Sequence, residues 1–316
     1  MKIGSVALTG VRGLADRYVD WVSSATGRPH DLVVVAGPPA SGKTRFLEAL
    51  IAAFETVGGY MGIVRGSDWA ASRAAARVEL GLHLDPDERQ AAPGAGHPAR
   101  AVALWSQDGI AAEVDRGLSR VLERYSHDGA GGKREYFPEN RKLAWGSRVD
   151  GLSALEQSIL RPSKDPQKYS FVPRFLERLS EDPEGQQAFA GMLESLSPSV
   201  RYLPKGAPDA RSAWFSSRGG DGSFLSELSS SEADAVLIAS TVSLLGLNHS
   251  IVFLDRPELY VPSERLVPWV RALTTIGHDN QWIVATGSRR LVEAVETSQL
   301  VLLRPLTGGA SVEVQS

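Results

Sequence analysis

Apolar positions along this chain follow two rhythms. Residues 32–36, 251–254, 282–285 and 300–303 are apolar at almost every position, as strands buried on both faces require. Helix-period segments lie between them. Phe46, Leu47, Leu50, Ile51 and Phe54 share one face after the first run, and residues 263–276 and 289–296 follow the next two. Strand then helix, repeated, predicts a mostly parallel sheet covered on both sides. The second rhythm is alternation: Val78, Leu80, Leu82 and Leu84 alternate with other residues as in a half-buried strand.

Other elements fall around these. Residues 2–8 and 14–22 read as short strands about a turn at 10–13, with further strands at 60–64 and 135–137. Residues 101–105 read as a strand leading into a helix with Ile110, Val114, Leu118, Val121 and Tyr125 on one side. Breakers mark loops at 91–98 and 128–132. From 151 to about 197 the pattern is helical, punctuated by Pro162, Pro166, Pro173 and Pro183. Residues 201–203 and 212–216 suggest a hairpin.

Composition removes several classes of function. A chain of 316 residues can bury one large core, or one core with an inserted lobe. A net charge of −3 gives no global attraction to nucleic acid. A local basic face has candidates in Arg65, Arg73, Arg77, Arg134, Arg141, Lys142 and Arg148, against the plainer reading of a solvated mixed-charge surface. The chain has no cysteine, which excludes disulfides, thiolate metal sites and a cysteine nucleophile. Its six histidines fall at no metal-ligand spacing. The longest apolar run, near 235–247, is too short to span a bilayer, and the first residues lack a signal core. These features lead us to expect a soluble cytoplasmic protein with no membrane partner.

The strongest chemical signal is Gly37-Pro38-Pro39-Ala40-Ser41-Gly42-Lys43-Thr44, which spells G-x-x-x-x-G-K-T between an apolar strand and a helix. In that setting loop amides and the helix N-terminus point at phosphates, Lys43 reaches the β/γ oxygens and Thr44 coordinates Mg²⁺. Arg45 follows directly and joins the expected nucleotide contacts. Asp255 ends the 251–254 run, where a nucleotide-hydrolysing enzyme holds Mg²⁺. Leu228-Ser229-Ser230-Ser231-Glu232 opens a long helix. Ser229 is a good N-cap with Glu232 in the first turn, and the same hydroxyls and dipole suit an anion. Gln281-Trp282-Ile283-Val284-Ala285-Thr286-Gly287-Ser288 is a buried strand ending in small polar residues.

In this order the motifs resemble the ABC-type ATPase heads of the SMC and RecF-like group, and the short bacterial AAA-family ATP-binding proteins related to OLD-family enzymes. Leu8-Thr9-Gly10-Val11-Arg12-Gly13-Leu14 is similar to the opening I-x-N-F-R-G-F, and 228–232 to the signature L-S-x-G-E with Ser231 for glycine. Asp255-Arg256-Pro257-Glu258 stands where the Walker B segment reads D-E-P-E. Residues 281–288 resemble the switch Q-x-I-x-x-T-H-S with Gly287 for histidine. Glu135-Tyr136-Phe137-Pro138-Glu139-Asn140-Arg141 resembles a tyrosine–proline–arginine segment that precedes the group's helical lobe.

The resemblance implies an α/β P-loop NTPase head with a central mostly parallel sheet, an antiparallel β subdomain and an inserted helical lobe. Residues 1–66 and 218–316 would form the ATPase core and 67–217 the insertion. It further implies two copies closing head to tail around ATP–Mg²⁺, with Ser229, Ser231 and Glu232 meeting the nucleotide held by the other copy's Lys43 and Asp255. An effector protein encoded nearby, or DNA, would be the further partner, in DNA maintenance or phage defence. Two departures argue for slow or absent hydrolysis. Arg256 replaces the water-activating glutamate and keeps its proton, so it cannot act as a base, though it adds positive charge near the triphosphate. Gly287 replaces the histidine that senses the γ-phosphate. The alternatives are an active DNA-associated ATPase with Glu258 as the catalytic base, and a P-loop small-molecule kinase.

Overall fold

The computed structural model describes residues 1–59, 64–71, 75–125, 132–143, 162–204, 215–217, 222–306 and 313–314. The chain opens with β1 (Lys2–Thr9), β2 (Arg17–Asp20) and β3 (Leu32–Ala36), then α1 (Lys43–Gly58) and α2 (Gly66–Trp69). Next come β4 (Ala76–His83), α3 (Pro86–Ala91), β5 (Ala99–Trp105), β6 (Ile110–Val114), α4 (Leu118–Arg124) and β7 (Arg134–Phe137). Two helices, α5 (Val172–Leu179) and α6 (Pro183–Leu196), lead to three short strands, β8 (Val200–Tyr202), β9 (Phe215–Ser217) and β10 (Gly222–Ser223). The remainder is α7 (Ser230–Leu245), β11 (Ile251–Asp255), α8 (Leu266–Thr274), β12 (Gln281–Thr286), α9 (Arg289–Glu293), β13 (Leu300–Leu302) and β14 (Glu313–Val314).

The all-apolar runs form one parallel sheet in the order β13-β3-β12-β11-β7. Side chains alternate across it, so each strand feeds two cores. Val33, Val35, Phe253, Ile283 and Val301 face α1 and the antiparallel layer. Val34, Val252, Leu254, Trp282 and Val284 face α5, α6, α7 and α8. Burial on both faces is why these strands read as unbroken apolar runs. The other large sheet, β14-β2-β1-β4-β5-β6, is antiparallel but for the β14–β2 pair.

One sequence expectation needs correction. Residues 110–114 form a strand paired with β5 and not a helix; all five are exposed, at the sheet edge. The 110/114/118/121/125 spacing mimics a helix, but Gly117 (φ 84°) starts α4 afresh, and the Ser106–Gly109 turn folds the chain back. Residues 67–217 contribute strands to both large sheets. β4, β5 and β6 extend the sheet that β1 begins, and β7 is an edge strand of the parallel sheet. Sheet membership depends on pairing partners distant in the chain, which local pattern does not reveal. The hairpin of β8 with β9 forms, although 212–214 lie outside the described residues. The same holds for the expected strand at 60–63, the break at 128–131 and the helical start at 151–161. Among the described residues no helix is long and apolar enough to cross a membrane.

Candidate functional site

β3 delivers the chain to the carboxyl edge of the parallel sheet, and the 37–42 loop turns it into α1. The loop must be tight. A Cβ on Gly37 would lie 2.4 Å from the Leu303 carbonyl oxygen, and Gly42 adopts φ 89° with Leu14 packed against it. Ala40 also has positive φ, at 62°. α1 begins without a side-chain cap and without an acidic residue in its first turn. Its first amides and the positive end of its dipole are therefore left for an external anion. The Lys43 ammonium donates to the carbonyls of Gly37 and Pro38, each at 2.8 Å. Desolvation and then the nearby positive charge of Arg256 hold its pKa below the usual lysine range, against the pull of Glu258 and Asp255. The Ser41 hydroxyl is buried without a partner. Arg45 carries its guanidinium 3.7 Å over the Trp69 ring and donates to the Arg12 carbonyl.

β11 places Asp255 beside this loop, at 0% exposure. Neither of its carboxylate oxygens has a partner within normal hydrogen-bond geometry. Burial pushes its pKa up to about 6, while the adjacent Thr44 hydroxyl works in the opposite direction. A buried carboxylate with unmet acceptors next to a hydroxyl is an oxygen donor set suited to a hard divalent cation. Among the described residues no group of three or more acidic, histidine or cysteine side chains is placed to hold a metal ion by itself. Mg²⁺ at a nucleotide site needs none, because phosphate and water complete its shell around one or two protein ligands. Thr44 and Asp255 thus fit the role expected of them.

Together the loop, Lys43, Thr44, Arg45, Glu48, Glu139, Arg256, Glu258 and Gly287 line a cleft of about 540 Å³. Arg256 sits at φ 48° with its amide donating to the Ala285 carbonyl, and its guanidinium meets Glu139 at 3.1 Å. That pair is exposed, a setting in which an ion pair contributes about 0–1 kcal/mol. Glu258 reaches the cleft wall with both oxygens engaged, one by the Thr286 hydroxyl and one by the Gly287 amide, each at 2.8 Å. Gly287 is not forced by space, since a Cβ there would stand 3.5 Å from Glu258.

The signature segment lies elsewhere on the molecule. Ser229 caps α7, accepting from the Glu232 amide, and Glu232 returns a bond from the Ser229 amide at 3.0 Å. The Ser229 and Ser231 hydroxyls stand 3.3 Å apart, both exposed. None of the three lines the phosphate-loop cleft of the same chain.

Two residues expected on a basic face are interior. Arg134 pairs with Glu55 at 2.9 Å and both are buried. Arg141 is 1% exposed and pairs with Asp234 of α7 at 2.6 Å. It also donates to the carbonyls of Asp255 at 2.7 Å and Pro138 at 3.0 Å, and covers the Tyr260 ring. One guanidinium therefore ties the first turns of α7 to the tip of β11. Sequence reasoning missed this bridge; its only trace is a carboxylate at 234 within an otherwise apolar stretch of helix.

No protein-family model and no curated protein matches this chain. Solved structures do. An SMC head bound to the C-terminal winged-helix domain of ScpA superposes with TM-score 0.58 at 13% identity, over 96% of this chain and 95% of that one. The SMC head domain from Thermotoga maritima gives 0.52 at 14%, over 97% and 99%. An SMC head with an extended coiled coil, bound to the C-terminal domain of ScpA, derived from Pyrococcus furiosus, gives 0.55 at 13%, over 96% and 94%. At these identities the fold is what is shared. The chain has the α/β fold of an SMC-type, ABC-ATPase-like head.

Proposed function

We propose that this SMC-head fold binds ATP–Mg²⁺ and acts as an ATP-gated clamp or sensor that hydrolyses its nucleotide slowly or not at all. Residues 37–45 hold the polyphosphate, and Thr44 and Asp255 hold the cation. The observation that carries the reading is Asp255, buried with unmet acceptors beside Thr44 at the mouth of an uncapped helix. Two copies close head to tail, and Ser229, Ser231 and Glu232 of each cover the nucleotide of the other. The exposure of Ser229 and Ser231, away from the cleft of their own chain, supports a role in trans. Output passes to a partner protein or to DNA in the cytoplasm; two of the similar SMC heads were solved with a ScpA domain bound. Slow turnover follows from Arg256, which cannot accept a proton from water. Calorimetry with ATP and Mg²⁺, and size-exclusion mass with and without ATP, test the reading. No heat, or a mass indifferent to ATP, overturns it.

A second reading rests on the place of Glu258 in the cleft wall. There it would serve as base in an active ATPase. Phosphate release near ~1 s⁻¹ that collapses in Glu258→Gln would favour it. Against it, both Glu258 oxygens already accept hydrogen bonds from the 286–287 segment.

A further inference from the structure

Arg256 occupies a constrained backbone position in the cleft. It is a non-glycine residue at φ 48°, ψ 60°, followed by Pro257 and pinned by its amide to the Ala285 carbonyl. Backbone strain of this kind persists where surrounding structure holds it, and it gathers at ligand sites. The turn sends the guanidinium into the phosphate-loop cleft one residue beyond Asp255. There it is near enough to Lys43 for the two positive charges to work against each other. Its partner is Glu139, met through a single contact of 3.1 Å with both side chains more than 40% exposed. The backbone of Glu139 is anchored, because its carbonyl accepts from the Tyr260 hydroxyl at 2.8 Å. The preceding Pro138 carbonyl accepts from buried Arg141. The main chain at Glu139 is fixed while its carboxylate, at the solvent edge, can turn away.

From this geometry we infer that Arg256 and Glu139 form an exchangeable counter-ion latch that makes the cleft selective for a nucleoside triphosphate over a diphosphate. The inference rests on the ATP-binding reading above. Thr44 and Asp255 would hold a Mg²⁺ that neutralises phosphate charge, and Arg256, in the lining of the same cleft, would add a second positive charge for the terminal phosphate. The terminal phosphate takes the guanidinium from Glu139, exchanging a weak, solvated carboxylate contact for a charge-assisted one inside the cleft. Arg256 is then a specificity residue, and Glu139 a competitor whose removal tightens binding. A merely structural surface pair would give neither effect.

The test is calorimetric titration of the full chain with ATP and with ADP, both with Mg²⁺, for wild type, Arg256→Ala, Arg256→Lys, Glu139→Gln and the double variant. Loss of a hydrogen bond to a charged group corresponds to about a tenfold to hundredfold weakening. Arg256→Ala should show that loss for ATP and less than about threefold for ADP, with Arg256→Lys in between. Glu139→Gln should tighten ATP by about two- to fivefold, and should do nothing once Arg256 is gone. Equal losses for ATP and ADP in Arg256→Ala overturn the latch while leaving ATP binding intact. So does a Glu139→Gln variant that weakens ATP. Wild type that binds neither nucleotide overturns the underlying reading and the latch with it. Both positions are exposed, so thermal melts of the variants should match wild type.

Discussion

The N-termini of α1 and α7 both follow small residues, yet they are prepared for different company. α1 starts uncapped and without a nearby acid, with Lys43, Thr44 and Asp255 around its first turn. α7 starts closed upon itself, Ser229 and Glu232 satisfying each other's amides in a capping box. Under the proposed function, the first end is a phosphate site complete within one chain. At the second end a phosphate must compete with the helix's own carboxylate, so it acts only where another molecule presents the anion closely. Under the same proposal, the contrast separates nucleotide binding, a property of one copy, from closure, a property of two.

The largest expected effect falls on the α1 side. Lys43→Ala should weaken ATP by on the order of a hundredfold or more in calorimetry, since charged hydrogen bonds to phosphate are lost. The melting temperature without nucleotide should hardly move, because the lysine bonds only loop carbonyls. An unchanged titration would break the comparison at once.

Asp255→Asn should remove the Mg²⁺ dependence of ATP binding and, unusually, stabilise the nucleotide-free protein. The folded pKa of Asp255 is raised to about 6, above the ordinary carboxylate value. The folded state therefore binds its proton more tightly than the unfolded chain, and stability is lost as pH rises through about 6. At pH 7–8 the penalty is on the order of 2–3 kcal/mol. Metal-free melts should show the variant more stable at pH 8, with the difference shrinking towards pH 4.5. A difference that grew on acidification would contradict the assignment.

Effects on the α7 side should be smaller for binding and larger for assembly. Ser231→Arg should leave the ATP affinity of one copy within about threefold, because it does not line the cleft. Light scattering with ATP should find no dimer. An ATP-dependent dimer in this variant would remove the signature segment from the interface. Ser229→Ala should produce the smallest change, about 1 kcal/mol from the lost cap, read as a fall of about 2 °C in melting temperature.

Much of the site was legible because its spacing is covalent. Gly37, Gly42, Lys43 and Thr44 are local, and no strand-to-helix turn this tight tolerates larger residues at 37 and 42. Asp255 was legible from an apolar run ending in a carboxylate. Arg141 was not: the sequence presents an arginine, and only packing reveals that Asp234, 93 residues away, awaits it. The β6 strand was illegible for the opposite reason, since its spacing fits a helix while a turn and the edge of β5 impose an extended chain.

By itself the sequence determined the parallel sheet and the tight glycine loop before α1, because periodicity and short-range spacing act through the backbone itself. Tertiary structure alone decided which charges are interior, that Arg256 faces Glu139 and that Glu258 is tied to Thr286 and Gly287. Such pairings join residues from separate strands whose proximity exists only once the sheet has brought their carboxyl ends to one edge.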